Sequence, residues 1–258
     1  MAIQGGYFEM ARVDPTSRFS YLCGMSVPLT PPARALRGFD AAISLWLCQL
    51  ECLGLDLAGL ARALSSSEHA RAARFGTDAL RQRWIVGRAT LRVLLGRHLN
   101  IDPAAVRLRR GVRGRPELDM PDAPDFNVSH TGNVALICIG VALQRGERIG
   151  VDIERADRKV NADGLARRVL TRRERDALTN LDADARRRRF LRLWTCKEAM
   201  SKATGDALSA PFRRIDVALD HTIQLHAGPP PYTPERWRLH SVPVPEDFVA
   251  TVAVWQQE

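Results

Sequence analysis

The clearest periodicity in the chain lies between residues 126 and 154. Phe126–His130 alternates apolar and polar positions, Thr131-Gly132-Asn133 supplies a turn, and Val134–Leu143 is apolar enough for a strand buried on both faces. After a turn over Gln144–Arg148, Ile149–Glu154 has period two. Ile149, Val151 and Ile153 face one way, and Gly150, Asp152 and Glu154 the other. The pattern predicts a strand meander. Upstream, Ala41–Leu50 reads as a buried strand, and Ser65-Ser66-Ser67-Glu68 has the form of a capping box that opens a helical region reaching about Leu99. Trp84, Leu91, Leu95 and Leu99 form its apolar stripe, Arg81, Arg88 and Arg92 share another face, and Gly76 is the expected break. A short strand over Val106–Arg109 leads to the turn Gly111–Pro116. A helix is expected over 186–204, and strands over Trp237–Val242 and Phe248–Trp255. Residues 1–40 show no sustained period and read as an irregular leader.

The second half repeats the first. Leu170-Thr171-Arg172-Arg173-Glu174 matches Leu64–Glu68 at an offset of 106 residues, and Arg187–Leu191 matches Arg81–Ile85 at the same offset. This suggests an internal duplication: an α/β (α+β) chain of two similar halves, 41–143 and 144–258, each a small sheet with a long helix, enclosing a cleft.

Composition narrows the class. The 258 residues are 45% hydrophobic and 26% charged, ordinary for a globular chain that buries a core. No run of about 18 apolar residues suggests a membrane span. The N-terminal stretch lacks the basic start and apolar segment of a secretory signal. Five cysteines without paired CxxC motifs read as reduced thiols, so a cytoplasmic location is expected. The net charge of +9 predicts a polyanionic partner: nucleic acid, a phosphorylated cofactor or an acidic protein. Of the 38 basic residues only Lys159, Lys197 and Lys202 are lysines. A lysine gives up a proton where arginine does not, so its use at 197 and 202 hints at a role that needs it.

Asp152 and Glu154 project from one strand face, within about 6–7 Å of each other along the strand. Both can reach one cation, and oxygen donors suit Mg²⁺; a solvated strand face is the plainer alternative. Glu198 and Lys202 are i,i+4 neighbours on one helix face and could equally be a surface ion pair. Spacing alone does not bring that helix to the 149–154 strand. Ser129 and His130 point to opposite faces of a strand, and no GxSxG elbow is present, which argues against a serine hydrolase. Gly111–Pro116 matches neither a Walker loop nor the dinucleotide glycine pattern.

Four stretches taken together resemble the Sfp-type 4'-phosphopantetheinyl transferases. They are Gly114-Arg115-Pro116, Phe126–His130, Gly150-Val151-Asp152-Ile153-Glu154, and Trp194-Thr195-Cys196-Lys197-Glu198-Ala199 with Lys202 and Gly205. The similarity runs from about Leu64 to Leu219. It implies coenzyme A in the cleft as substrate, Mg²⁺ as cofactor, and an acidic acyl or peptidyl carrier protein as acceptor. It further implies that Asp152, Glu154 and Glu198 hold the metal, that Glu198 takes the serine proton, and that Lys202 serves the leaving phosphate. Lys197 would add a cation, and His130 would meet a phosphate. Arg71, in Arg71-Ala72-Ala73-Arg74-Phe75, and Arg110 would grip the 3'-phosphate, while Ser129 and Arg115 would line the nucleotide. Two positions depart from the family pattern: Arg115 where lysine is common, and Thr131 where serine is. A monomer suffices, since a duplicated chain forms its own cleft. The competing class is an arginine-rich nucleic-acid-binding protein. It explains the charge but not the paired carboxylates, and the chain lacks a recognised binding motif.

Overall fold

The computed structural model describes residues 30–159 and 162–257. Most of the expected leader, with Cys23, lies outside the described residues. The elements run β1 (Ala33–Leu36), β2 (Ile43–Gln49), α1 (Leu57–Ala61), α2 (Ser66–Ala72), α3 (Asp78–Leu99), β3 (Leu108–Arg110), β4 (Pro116–Leu118), β5 (Phe126–Thr131), β6 (Val134–Gly140) and β7 (Glu147–Arg155). They continue with α4 (Ala162–Val169), α5 (Arg172–Asp176), α6 (Ala183–Thr204), β8 (Asp216–Leu219), β9 (Ile223–Ala227), β10 (Trp237–Ser241) and β11 (Phe248–Gln256). Residues 33–36, expected to be irregular, form a strand because β2 offers them a partner edge.

Two antiparallel sheets carry the fold, in the orders β1-β2-β6-β5 and β10-β11-β7. The expected meander is thus corrected: β7 pairs with β11, not with β6. Strand alternation then builds four layers. Leu45 and Leu47 of β2, Leu136 of β6, Ile149 and Val151 of β7 and Val252 of β11 meet in one apolar core between the sheets. On the outer face of the first sheet, Cys48 and Ala135 pack against Val86, Ala89 and Val93 of α3. On the outer face of the second, Val249 and Ala253 pack against Ala199, Met200 and Ala203 of α6.

The two long helices start and stop as their caps dictate. Thr77 at the N-cap of α3 is extended and accepts a bond from Leu80 N, which explains the break after α2. Asp182 caps α6 by accepting from Asp184 N and Ala185 N, so the helix begins slightly before the expected 186. Both end on left-handed residues, Asn100 and Gly205.

The two offset motifs share their geometry as well as their sequence. Ser65–Glu68 and Thr171–Glu174 both form complete capping boxes, and in both the glutamate is buried. Arg92, 24 residues after Glu68, donates to it at 2.6 Å. Lys197, 23 residues after Glu174, does the same at 2.6 Å. Each cation also binds main-chain carbonyls: Pro103 and Ala104 for Arg92, Val169 and Phe212 for Lys197.

Gly150 fixes how closely α6 lies on β7. A Cβ there would sit 1.9 Å from Ala199 O and 2.6 Å from Ala203 N. Gly150→Ala is therefore expected to lower stability by about 1–3 kcal/mol in a urea or thermal melt, because helix backbone must move. An unchanged melt would mean that α6 is not seated this tightly.

Candidate active site

The close crossing at Gly150 brings the polar face of β7 under α6. Asp152 is buried, and its Oδ1 accepts from Ser129 Oγ at 2.7 Å and from Lys202 Nζ at 2.7 Å. Lys202 Nζ also donates to Ser129 Oγ at 2.9 Å and to Val151 O at 3.1 Å, which uses its three donors. Strand β7 thus meets the helix that spacing alone left unplaced.

Glu154, also buried, accepts from Thr131 Oγ1 at 3.2 Å and pairs with Arg158. Burial and the neighbouring Asp152 push its pKa up. Glu198 is pushed further, to about 7, by burial first and by Asp152 next, against the pull of Lys202. Asp152 Oδ2 and Glu198 Oε1 are both buried without a hydrogen-bond partner. Three crowded carboxylates, two with an orphaned oxygen, fit a hard divalent cation. Among the described residues no three His, Cys, Asp or Glu side chains are already gathered as a metal-binding group. Arg158 and Thr131 engage Glu154 instead.

The neighbouring strand completes the site. β5 and β7 run side by side without backbone pairing, and side chains bridge them. Asp125 Oδ2 accepts from Ile149 N at 2.7 Å, Asn127 Oδ1 from Val151 N at 3.1 Å, and Ser129 Oγ from Ile153 N at 3.3 Å. Asp125, Asn127 and Arg158 were not singled out in the sequence. The one available signal was the polar residue at every second position from 125 to 129.

Two of the expected ligands of coenzyme A are placed otherwise. Lys197 is fully buried, and Nζ spends its three donors on Glu174, Val169 O and Phe212 O. Full burial keeps it from a phosphate, so its role as a further cation is corrected to a structural one. Arg115 is buried too, and its guanidinium binds Asp125 and main-chain carbonyls. Its side chain is not free to line a nucleotide. His130 is exposed on β5 beside Ser129. Arg71 is exposed over the Trp84 ring, 5.7 Å from its centroid, and Arg110 is exposed, donating to Gly114 O at 3.3 Å. A cavity of ≈ 340 Å³ lies beside the Gly114-Arg115-Pro116 turn, lined by Arg109, Arg113, Arg115 and Arg148 with Thr204. Its arginines are paired: Arg109 and Arg148 with Glu117, Arg113 with Asp206, Arg115 with Asp125.

Both parts of the chain match known proteins. Residues 148–253 match the model of the 4'-phosphopantetheinyl transferase superfamily, and residues 54–140 match that of the 4'-phosphopantetheinyl transferase N-terminal region. The chain is 35% identical over 223 residues to the 4'-phosphopantetheinyl transferase HetI of Nostoc sp., covering 83% of this chain and 90% of that protein. It is 28% identical over 176 residues to a phosphopantetheinyl transferase of Thraustochytrium sp., covering 63% and 60% respectively. A crystal structure of a holo-(acyl-carrier-protein) synthase from Bacillus anthracis, in complex with CoA (3',5'-ADP), aligns with a TM-score of 0.36 at 23% identity, over 43% of this chain and 96% of that one. A likeness of that size adds nothing to the assignment. The family matches and the sequence similarity define a transferase, and the chain belongs to the 4'-phosphopantetheinyl transferase superfamily.

Two outcomes follow from the burial of these charges. Lys197→Met is expected to cost about 3–5 kcal/mol in a denaturant melt, because it leaves buried Glu174 unpaired. A loss well under 1 kcal/mol would contradict the buried pair. Glu198 has its folded-state pKa raised to about 7. Its ordinary value is about 4.3. The protonated form therefore stabilises the metal-free fold below the ordinary value, and that contribution is lost as pH rises to about 7. Glu198→Gln mimics the protonated form, so its melting temperature should pull ahead of the parent's between about pH 5 and 7 and then hold a constant lead. Parallel curves across that range would remove the raised pKa.

Proposed function

We propose that the chain transfers the 4'-phosphopantetheine arm of coenzyme A to a serine hydroxyl of an apo acyl or peptidyl carrier protein, and that the cluster of Asp152, Glu154, Glu198 and Lys202 performs the transfer. The observation that carries the site assignment is the pair of buried, unpartnered carboxylate oxygens on Asp152 and Glu198, beside a lysine held in place by Asp152.

In this reading the serine Oγ attacks the pantetheine-side phosphorus of the pyrophosphate. The P–O bond to the nucleotide phosphate breaks, and adenosine 3',5'-bisphosphate leaves. Glu198, directly or through a water, would take the serine proton. Lys202, its side chain 26% exposed where that of Lys197 is fully buried, would exchange one of its present acceptors for the leaving phosphate and offset its charge. Asp152 fixes its ammonium, and Ser129 braces Asp152. Asp152 and Glu198, with Glu154 once it is released from Arg158, are the residues that would hold Mg²⁺. A bound metal would neutralise pyrophosphate charge as a Lewis acid.

Exposed His130 and Arg71 remain as contacts for phosphate groups, and Arg110 for the nucleotide end. The same reading divides the chain at 143/144 between β6 and β7, in keeping with the two separate family matches. It also makes the protein a cytoplasmic monomer. Among the described residues no helix is long and apolar enough to cross a membrane. The charge of +9 suits an acidic carrier. The nucleic-acid alternative loses support because Arg88, Arg92, Arg115 and Arg148 are spent on internal carboxylates.

Incubation with coenzyme A, Mg²⁺ and an apo carrier should add the mass of one phosphopantetheine to the carrier. No gain on any of several fatty-acid, polyketide and peptide-synthetase carriers would overturn the reading. Asp152→Ala and Glu198→Ala should each cost about 10²-fold or more in turnover. Lys202→Arg should also be damaging. A guanidinium does not fit the site where Nζ meets Ser129 Oγ, Val151 O and Asp152 Oδ1. Near-normal turnover in any of the three would remove that residue from the mechanism.

A further inference from the structure

We propose that Arg115, held by Asp125, is a positioning residue that locks the Lys202 end of α6 onto β7, and not a ligand of coenzyme A; this rests on the role given to Lys202 above. The Arg115 side chain is 4% exposed and reaches across the seam between the two sheets. Its Nη1 and Nη2 donate to the two oxygens of Asp125, each at 2.7 Å. Nη2 donates also to Ile149 O at 2.7 Å, and Nε to Lys202 O at 2.9 Å. Asp125 Oδ2 in turn accepts from Ile149 N at 2.7 Å.

The chemistry explains why these groups need it. Lys202 lies in the last turn of α6, where carbonyls have no partner within the helix. A cation there also opposes the negative end of the helix dipole. Arg115 therefore caps the turn that carries Lys202, while the Lys202 ammonium grips β7 at Val151 O and Asp152. Helix end and strand are pinned at two places, Ile149 through Arg115 and Asp152 through Lys202. Slack at the first would let the ammonium drift from the second. The fork makes four bonds, to both oxygens of Asp125, a strand carbonyl and a helix carbonyl, where an ammonium has three donors.

The test compares Arg115→Met and Asp125→Asn with the parent, at a temperature where all three are folded. It reads kcat, KM for coenzyme A, and amide exchange over residues 198–204. We expect kcat to fall by about tenfold or more in both variants, as for a misplaced catalytic group. KM for coenzyme A should stay within about threefold, the split expected when substrate binding is untouched. Exchange at the end of α6 should quicken, while that of α3 stays as in the parent. A rise in KM with kcat intact would make Arg115 a ligand of coenzyme A and overturn the proposal. Unchanged exchange at 198–204 would do so as well. If the parent itself transfers nothing, the proposed function falls, and the exchange measurement still decides whether Arg115 holds the helix.

Discussion

The structure depends on the closeness with which α6 lies across β7. Gly150 leaves no Cβ where the helix backbone passes, so Ala199 and Ala203 come down onto the strand. Everything chemical follows from that distance. Asp152 and Glu154 share the strand face with Gly150, and Glu198 and Lys202 sit one turn apart on the helix, each beside an alanine that meets Gly150. With the two elements in contact, two carboxylate oxygens lose water and find no partner, and one lysine finds three acceptors. Raised pKa values at Glu154 and Glu198 express the same crowding.

The second constraint is the seam between the two sheets. β5 and β7 meet without backbone pairing, and three side chains at alternate positions of the chain, Asp125, Asn127 and Ser129, take the strand amides that would otherwise be buried unsatisfied. An edge strand satisfied in this way needs polar residues of fixed length on one face and apolar ones on the other. The run from 125 to 129 supplies them. The seam also places Ser129 against Asp152, so the packing of β5 beside β7 helps to build the site.

The duplicated capping boxes show how one device serves two ends. Each buried glutamate satisfies amides at a helix start and is neutralised by a cation from the following long helix. Arginine performs this in the first half and lysine in the second. Burial pulls the Lys197 pKa down, and Glu174 opposes the shift. The scarcity of lysine therefore has two causes that look alike in the sequence. At 197 a compact ammonium fits between two carbonyls and a carboxylate. At 202 it fits between a serine, a carbonyl and an aspartate at the candidate site.

Local patterning was readable because it is local. The period-two run at 149–154, the capping boxes at 65 and 171, the offset repeat and the terminal strands all appear in the fold, since alternation and capping are decided by near neighbours. The motifs that mark the family are likewise short and were legible as residues. Pairing partners were not: β7 chose β11 across nearly a hundred residues, and no property of 147–155 alone names that partner. Nor could spacing separate Lys197 from Lys202, or show that Arg115 turns inward, because burial is a property of what packs on a residue. The sequence by itself determined the strongly patterned elements, the carboxylates and the family. The tertiary structure decided which charges meet, because a side chain's solvent and partners exist only once helix and sheet have closed on each other.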